Sequence, residues 1–401
     1  MTTFYTVSGN ADCPDIRVEI DVTNQPTNAS RVWTNITPYV RQLSYQRGGR
    51  SHELRRTDAG TLTMLLDNRD GRFDPTNTAS PYYPNLKRMR WLRVTGKWAG
   101  VEYARWAGLV EGWAQEWPEL GRDAVTTVQA ADAFKILALY DLGGKSYASA
   151  LTGTRVGSVL TDVAVPYTAG AGKTTVVASG TIATGTKALS HLQDVVDSEN
   201  GLLFADPSGQ IVFQDRHFRL TDSNSITSVC VIGDGPGEIP YREGRLDSDD
   251  VDVWPTVKVT PDGGTVETQS DATSQAEHFD RVLEKSILSS SQAEALSAAQ
   301  WLSGQYADPA PRLPQVGLVA RQASTRWPTV LGLTNSQRVT WKRRASTTIT
   351  VDAFVEQVLE TIVPGTSWDT AVQLSPADDA AYWLLGVAGF SELGTTTILA
   401  Y

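Results

Sequence analysis

Only two cysteines, Cys13 and Cys230, occur in 401 residues. Two thiols so far apart build neither a disulfide framework nor a zinc pattern. Both are expected to stay unpaired, as in a protein assembled in a reducing cytoplasm. Histidine is sparse too: His52, His191, His217 and His278 are scattered singly. A Ser/His/Asp triad need not be local in sequence, but no Gly-x-Ser-x-Gly elbow supports one. Nothing singles out a carboxylate pair for glycosidase chemistry. A basic excess is also lacking. The chain has 35 Lys and Arg against 45 Asp and Glu, a formal net charge of −10 and a pI near 5.0. An acidic surface repels phosphate, which argues against a grip on nucleic acid and leaves room for a passage through which it slides. Long apolar runs are absent: the longest, Ala381 to Phe390, is far short of a membrane span, so no membrane anchor is expected. Met1-Thr2-Thr3-Phe4-Tyr5 lacks the basic stretch and apolar core of a secretory signal.

What remains is ordinary globular material. Hydrophobic residues make up 41% and charged residues 20%, enough for several cores and too apolar for wholesale disorder. At roughly 100–200 residues per domain the length suggests two to four domains. Tryptophan is plentiful, at 12. Trp91, Trp98, Trp106, Trp113 and Trp117 are the candidate interface anchors, because a large apolar body with one polar edge suits a buried contact; core packing is the competing fate.

The stretch to about Asp132 reads as β. Leu62, Met64 and Leu66 alternate on one face of a strand, and Asp67-Asn68-Arg69-Asp70-Gly71-Arg72 reads as a turn. Trp91 to Thr95, Arg105 to Val110 and Val125 to Ala130 are further strands, with a proline-rich loop at Ser80-Pro81-Tyr82-Tyr83-Pro84. From Asp132, a helix N-cap, the period becomes helical. Phe134, Leu137 and Tyr140 mark one helix, and Val156, Val159, Leu160 and Val163 a second that ends by Pro166. Leu189, Leu192, Val195 and Val196 mark a third, leaving at Asn200-Gly201. Leu202 to Ala205 and Gln210 to Phe213 flank Asp206-Pro207-Ser208-Gly209 as a hairpin. Beyond about Gly235 the chain returns to β at Val251 to Thr260. A helix follows, with Ser291 and Glu294 as a capping box and Leu296, Ala299, Leu302 and Tyr306 on one face. Strands are then expected at Gln337 to Trp341, Thr347 to Phe354, Gln357 to Ile362 and Ala381 to Val387.

Three patterns mimic chemistry. Gly172-Lys173-Thr174 looks like the end of a phosphate-binding loop, but Tyr167 stands where the first glycine belongs and Thr175-Val176-Val177 is strand-like. It reads as a flexible loop. Asp67, Asn68, Asp70 and Asp74 crowd one turn, yet Arg69 occupies a calcium-ligand position and Thr78 stands where the closing Glu is needed. Asp247, Asp249, Asp250 and Asp252 read as a solvated strand entry, with a weakly held cation as the alternative. No catalytic residue, cofactor or metal ligand is expected.

The stretch Ala59-Gly60-Thr61-Leu62-Thr63 through Leu66-Asp67-Asn68-Arg69-Asp70-Gly71-Arg72-Phe73-Asp74-Pro75, with Ser80 to Leu86, resembles minor tail proteins of siphophages infecting actinobacteria, of the tail-hub or baseplate-hub family. Val257 to Thr260 with Asp262-Gly263-Gly264-Thr265, Gln305 to Pro309, Pro364 to Trp368 with Leu374 to Ala377, and Leu384 to Val387 with Ser391 to Gly394 extend the resemblance to both ends. It implies a mainly β fold with α/β insertions (α+β): an N-terminal β-barrel domain at 1–131, an α/β domain at 132–235, and a second β-barrel domain with a helical insertion at 236–401. It implies a structural, non-enzymatic homotrimer at the virion tail tip, assembled in the host cytoplasm. Its partners would be a distal tail protein or tail tube above, fibre or spike proteins below, tape-measure protein in the lumen, and DNA only in transit. Asp67, Asn68, Asp70, Gly71, Arg72 and Phe73 would be structural turn residues. A carbohydrate-binding host-recognition protein is the alternative, and a tail-associated cell-wall hydrolase the next.

Overall fold

The computed structural model describes residues 13–28, 30–50, 54–246, 252–309, 312–322, 324–377, 381–383 and 397–399. The stretches Leu384 to Val387 and Ser391 to Gly394, as well as His52, lie outside them.

The first β region contains β1 (Asp15–Ile20), β2 (Thr34–Asn35), β3 (Val40–Gln46), β4 (Thr61–Asp67), β5 (Trp91–Trp98), β6 (Val101–Glu116) and β7 (Val125–Ala131). The middle unit follows with α1 (Phe134–Leu139), β8 (Ala150–Leu151), α2 (Thr152–Val163), β9 (Tyr167–Ala169), β10 (Thr175–Val176), α3 (Ala188–Glu199), β11 (Leu202–Ala205), β12 (Ile211–Gln214), α4 (Phe218–Thr221) and α5 (Ser223–Ile226). Next come β13 (Val231–Gly233), β14 (Tyr241–Gly244), β15 (Thr256–Pro261), β16 (Glu267–Ser270), α6 (Ala272–His278), β17 (Val282–Ile287) and α7 (Gln292–Tyr306). The last described stretch holds β18 (Gln315–Leu318), α8 (Trp327–Gly332), β19 (Arg338–Arg343), β20 (Ile349–Val363), β21 (Ser367–Pro376), β22 (Ala381–Trp383) and β23 (Thr397–Leu399).

Most of the expected local signals hold. Leu62, Met64 and Leu66 on β4 are buried. Asp132 stands one residue ahead of the α1 N-cap, Ala133, and accepts from the Phe134 amide at 2.9 Å. Asn200 ends α3 in a left-handed conformation, φ 54°. β11 and β12 pair as the expected hairpin. The helical face on α7 is corrected: Ala295, Ala298, Ala299 and Leu302 are buried, whereas Leu296 is 37% exposed.

The larger departure is topological. The two β regions meet in one 13-stranded sheet of order β14-β18-β21-β20-β3-β4-β7-β6-β5-β1-β2, with β19 and β13 branching from β20. That path is open at both ends, and no closed barrel is present among the described residues. The two strands expected at Thr347 to Phe354 and Gln357 to Ile362 are one, β20. One edge of β20 is shared: Ile349 to Phe354 pair with β19, and Leu359 to Ile362 pair with β3. A register shift against β21 falls between Val355 and Gln357, where the edge partner changes. One apolar cluster runs through both regions, from Ile16, Leu43 and Met64 to Val339, Val358 and Val372. A second fills the middle unit around α2 and α3, and a third sits between α7 and β15.

Candidate functional site

The β3–β20 junction joins the two β regions with buried charge as well as apolar contact. Arg105 on β6 and Glu360 on β20 are both fully buried; the guanidinium donates to the carboxylate at 2.5 and 3.2 Å. Tyr45 on β3 donates to the same carboxylate, as does Thr370 at 3.2 Å, and Arg105 also donates to the Leu331 carbonyl. Burial disfavours both charges, pushing Glu360 up to about 8 and Arg105 down to about 9. Their mutual attraction offsets part of the cost of burying each charge. Gly96 lies where Trp368 and Arg105 press together: an added Cβ would sit 2.8 Å from the Trp368 ring.

Four residues back along β20, at the register shift, Glu356 gathers Arg50 (3.0 Å), Arg219 (2.7 Å) and the Ser375 hydroxyl (2.6 Å). Two guanidinium groups hold its carboxyl well below the usual range despite burial. Asp132 completes the buried set. It accepts from the Gly60 amide at 2.5 Å, no cation pairs with it among the described residues, and burial pushes it up to about 7. Asp132 was expected from the sequence only as a helix cap, and Arg105, Glu360, Arg50, Glu356 and Arg219 were not singled out. An isolated Glu or Arg in a strand reads as solvent-facing, and only the tertiary fold brings these partners together.

The Asp67 to Phe73 turn is an internal plug. Phe73 is fully buried between Tyr39 (5.5 Å), Tyr82 (5.6 Å) and Trp113 (6.4 Å, stacked). Asn68 accepts from the Phe73 amide at 2.8 Å and donates to Gln115 at 2.8 Å, while Gln115 donates to the Phe73 carbonyl at 2.9 Å. Gly71 turns the chain at φ 70°, and the Arg72 guanidinium lies 3.9 Å over the Tyr39 ring. Asp67 pairs with Arg69 and Asp70 with Arg72, so arginines occupy the carboxylates that looked like cation ligands.

The five tryptophans part company. Trp91 and Trp106 are core residues, each 2% exposed, and Trp91 donates to the Pro26 carbonyl at 2.7 Å. Trp98 and Trp113 are half-buried against the main cluster. Only Trp117 stands out, 63% exposed at the tip between β6 and β7, beside fully exposed Leu120.

The phosphate-loop mimic is not free. The Glu199 carboxylate accepts from the Lys173 amide (2.9 and 3.0 Å), the Thr174 amide (2.8 Å) and the Thr152 hydroxyl (2.6 Å). An internal anion thus takes the amides that a phosphate would need. Glu294 joins this cluster, accepting from Arg216 (2.7 Å) and Thr174 (2.8 Å), while Ser291 caps the Glu294 amide at 3.2 Å. Asp252 pairs with Arg312 at 3.1 Å; Asp247, Asp249 and Asp250 lie outside the described residues. His191 stacks on Tyr147, His217 precedes α4 and His278 ends α6, so the described histidines share no site. Among the described residues no group of three His, Cys, Asp or Glu could hold a metal, and no helix is long and apolar enough to cross a membrane.

No protein-family model matches the chain, and no curated protein sequence matches it. Solved structures share its fold. The tail protein from Neisseria meningitidis MC58 matches with a TM-score of 0.58 at 9% identity, over 90% of this chain and 96% of that one. The 43 kDa tail protein of prophage MuSo2 from Shewanella oneidensis matches at 0.56 with 11% identity, over 91% of this chain and 97% of that one. At such identities the likeness establishes a common fold across nearly the whole of each chain.

Proposed function

We propose that this chain is a structural, non-enzymatic subunit of a phage tail tip. It forms a trimeric hub ring that caps the tail tube, passes sixfold tube symmetry to threefold fibre symmetry, and lets DNA through on ejection. The observation that carries this reading is the shared fold with two tail proteins, end to end. The siphophage, actinobacteriophage type belongs to the proposal and rests on the Asp67 to Phe73 motif and its companions.

The mechanism is mechanical. Two β regions per chain, bounded at 1–131 and 236–401 around the middle unit at 132–235, present six β modules when three chains close a ring. The ring seats against a distal tail protein or the tube, with fibre or spike proteins below and tape-measure protein within. The net charge of −10 keeps the lumen negative, so passing DNA does not adhere. A lumen lined mainly by Lys and Arg would overturn that part. Asp67, Asn68, Asp70, Gly71, Arg72 and Phe73 serve as the structural turn that fixes the long loop, and Trp117 is the one of the five tryptophans displayed for a contact.

Mass and symmetry test the reading. Native mass spectrometry of the full chain and imaging of intact tails should give three copies at one tail end. A chain that stays solitary within the particle refutes it. Specific binding on a glycan array would favour the carbohydrate-recognition alternative, and clearing in a host-wall zymogram the hydrolase.

A further inference from the structure

The seam between α3 and β17 sets a lysine amine against a side-chain amide. Leu288, just past β17, donates its backbone amide to Ser198 Oγ at 2.8 Å, and its carbonyl accepts from the Val177 amide at 2.8 Å. Three residues back, Lys285 on β17 donates to Asn200 Oδ1. Asn200 ends α3 in the left-handed region, and its backbone amide is tied to the Asp197 carbonyl at 3.3 Å. The backbone is therefore fixed on both sides of the pair, which is the orientation a reaction between them needs. Asn200 Nδ2 is buried and has no hydrogen-bond partner among the described residues.

The surroundings favour a free amine. Burial pushes Lys285 down to about 8; Asp197 pulls the other way, and Arg50 and Arg56 reinforce the burial. Desolvation beside other cations makes a lysine nucleophilic near neutral pH. Asp197 is the carboxylate at the seam. Arg56 holds its Oδ2 at 2.6 and 2.8 Å, and its Oδ1 accepts nothing among the described residues. A competing reaction is disfavoured by the same geometry. The Gly201 amide, which would close a succinimide on Asn200, is engaged by the Val196 carbonyl at 3.1 Å.

We propose that Lys285 and Asn200 condense into an isopeptide bond, a covalent cross-link between β17 and α3. The neutral amine attacks Asn200 Cγ, and the Nζ–Cγ bond forms as the carbonyl π pair moves onto Oδ1. Asp197 takes a proton from Nζ and delivers one to Nδ2. The carbonyl re-forms, the Cγ–Nδ2 bond breaks and ammonia leaves. No oxidant, reductant or cofactor is consumed. The product joins residues 85 apart and ties the middle unit to the unit built on β15 and α7.

Intact-mass spectrometry of the denatured full chain reads this step. The wild type should weigh about 17 Da less than its sequence, the mass of one ammonia. Its digest should contain a branched peptide joining Lys285 to Asn200. Lys285→Arg keeps the cation and removes the nucleophile, whereas Asn200→Gly keeps the left-handed exit and removes the side-chain amide. Both should show full sequence mass and melt below the wild type, because an internal cross-link restricts the unfolded chain. Asp197→Asn should slow the condensation about a hundredfold, leaving folded chain at full mass. Folded wild-type chain that keeps its full mass after long incubation at mildly alkaline pH overturns the inference, and the pair is then a hydrogen bond only. A deficit that survives in Lys285→Arg places the ammonia loss in a succinimide at Asn200-Gly201 and overturns it too. Either result leaves the hub reading untouched, while a chain that is solitary in the tail refutes the hub and leaves the cross-link standing.

Discussion

Replacing Arg105 by methionine should be among the most damaging single changes in the molecule. Arg105 and Glu360 are both fully buried and 2.5 Å apart. Methionine fills much of the same volume but leaves the Glu360 carboxylate with only the Tyr45 and Thr370 hydroxyls as partners. Stranding one member of such a pair costs about 3–5 kcal/mol. That is a large share of the roughly 5–15 kcal/mol that separates folded from unfolded chains. Adding Glu360→Gln removes the stranded charge while keeping an acceptor for both hydroxyls. The double variant should therefore recover about half of the loss, the remainder reflecting the unpaired Leu331 carbonyl and imperfect packing. Urea unfolding followed by tryptophan emission reads this directly, because Trp327 and Trp368 stack edge-on at 6.2 Å beside the pair. If Arg105→Met costs less than about 1 kcal/mol, or the double variant is no better than the single, the buried pair does not hold the two β regions together as argued.

Asp132 predicts a pH dependence. Its folded pKa of about 7 is raised above the usual carboxylate value of 3.8, so its contribution favours folding at low pH and is lost as pH rises from about 4 to about 7; Asp132→Asn should flatten the urea-midpoint profile over that window, by up to about 4 kcal/mol. The Cys230 thiol is partly buried and pushed up to about 12, so at pH 8 it should react with a disulfide reagent far more slowly in the folded chain than after unfolding; equal rates would contradict its placement. Phe73→Ala empties the aromatic plug and should lower stability by about 3–5 kcal/mol, with increased proteolysis within 74–88; an unchanged melt would mean the turn is held without its plug.

Local signals were legible where neighbours in sequence decide the outcome. The alternation of Leu62, Met64 and Leu66, the Asp132 bond ahead of α1, the left-handed exit at Asn200 and the Asp206 to Gly209 turn each follow from a few adjacent residues. β3 shows no clean period of two, because its register slips between Val40 and Gln42. β1 and β21 do alternate, with Ile16, Val18 and Ile20 buried on one and Trp368, Thr370, Val372 and Leu374 on the other, so both strands are legible in the sequence although neither is among those expected from it. The β3–β20 junction left no local trace, because Tyr45 and Glu360 are 315 residues apart. The tryptophans teach the same lesson. Trp106 and Trp117 are equally apolar in sequence, yet one is a core residue and the other stands at a turn whose strain is visible only in three dimensions.

Under the proposed hub reading, the position of the charged seam constrains how a ring of these chains would open. β20 borders β19 along one half and β3 along the other, and the buried carboxylates lie on β20 itself. Parting β3 from β20 would pull Tyr45 from Glu360 and Arg50 from Glu356, taking one partner from each of two buried carboxylates. Nothing comparable guards the exposed tip, where Trp117 and Leu120 are already in solvent. In the hub reading, the cheaper motion is therefore between subunits. Each chain would move as one piece with its two β regions locked, and the passage would widen by rotation at the subunit contacts, leaving the 13-stranded sheet intact.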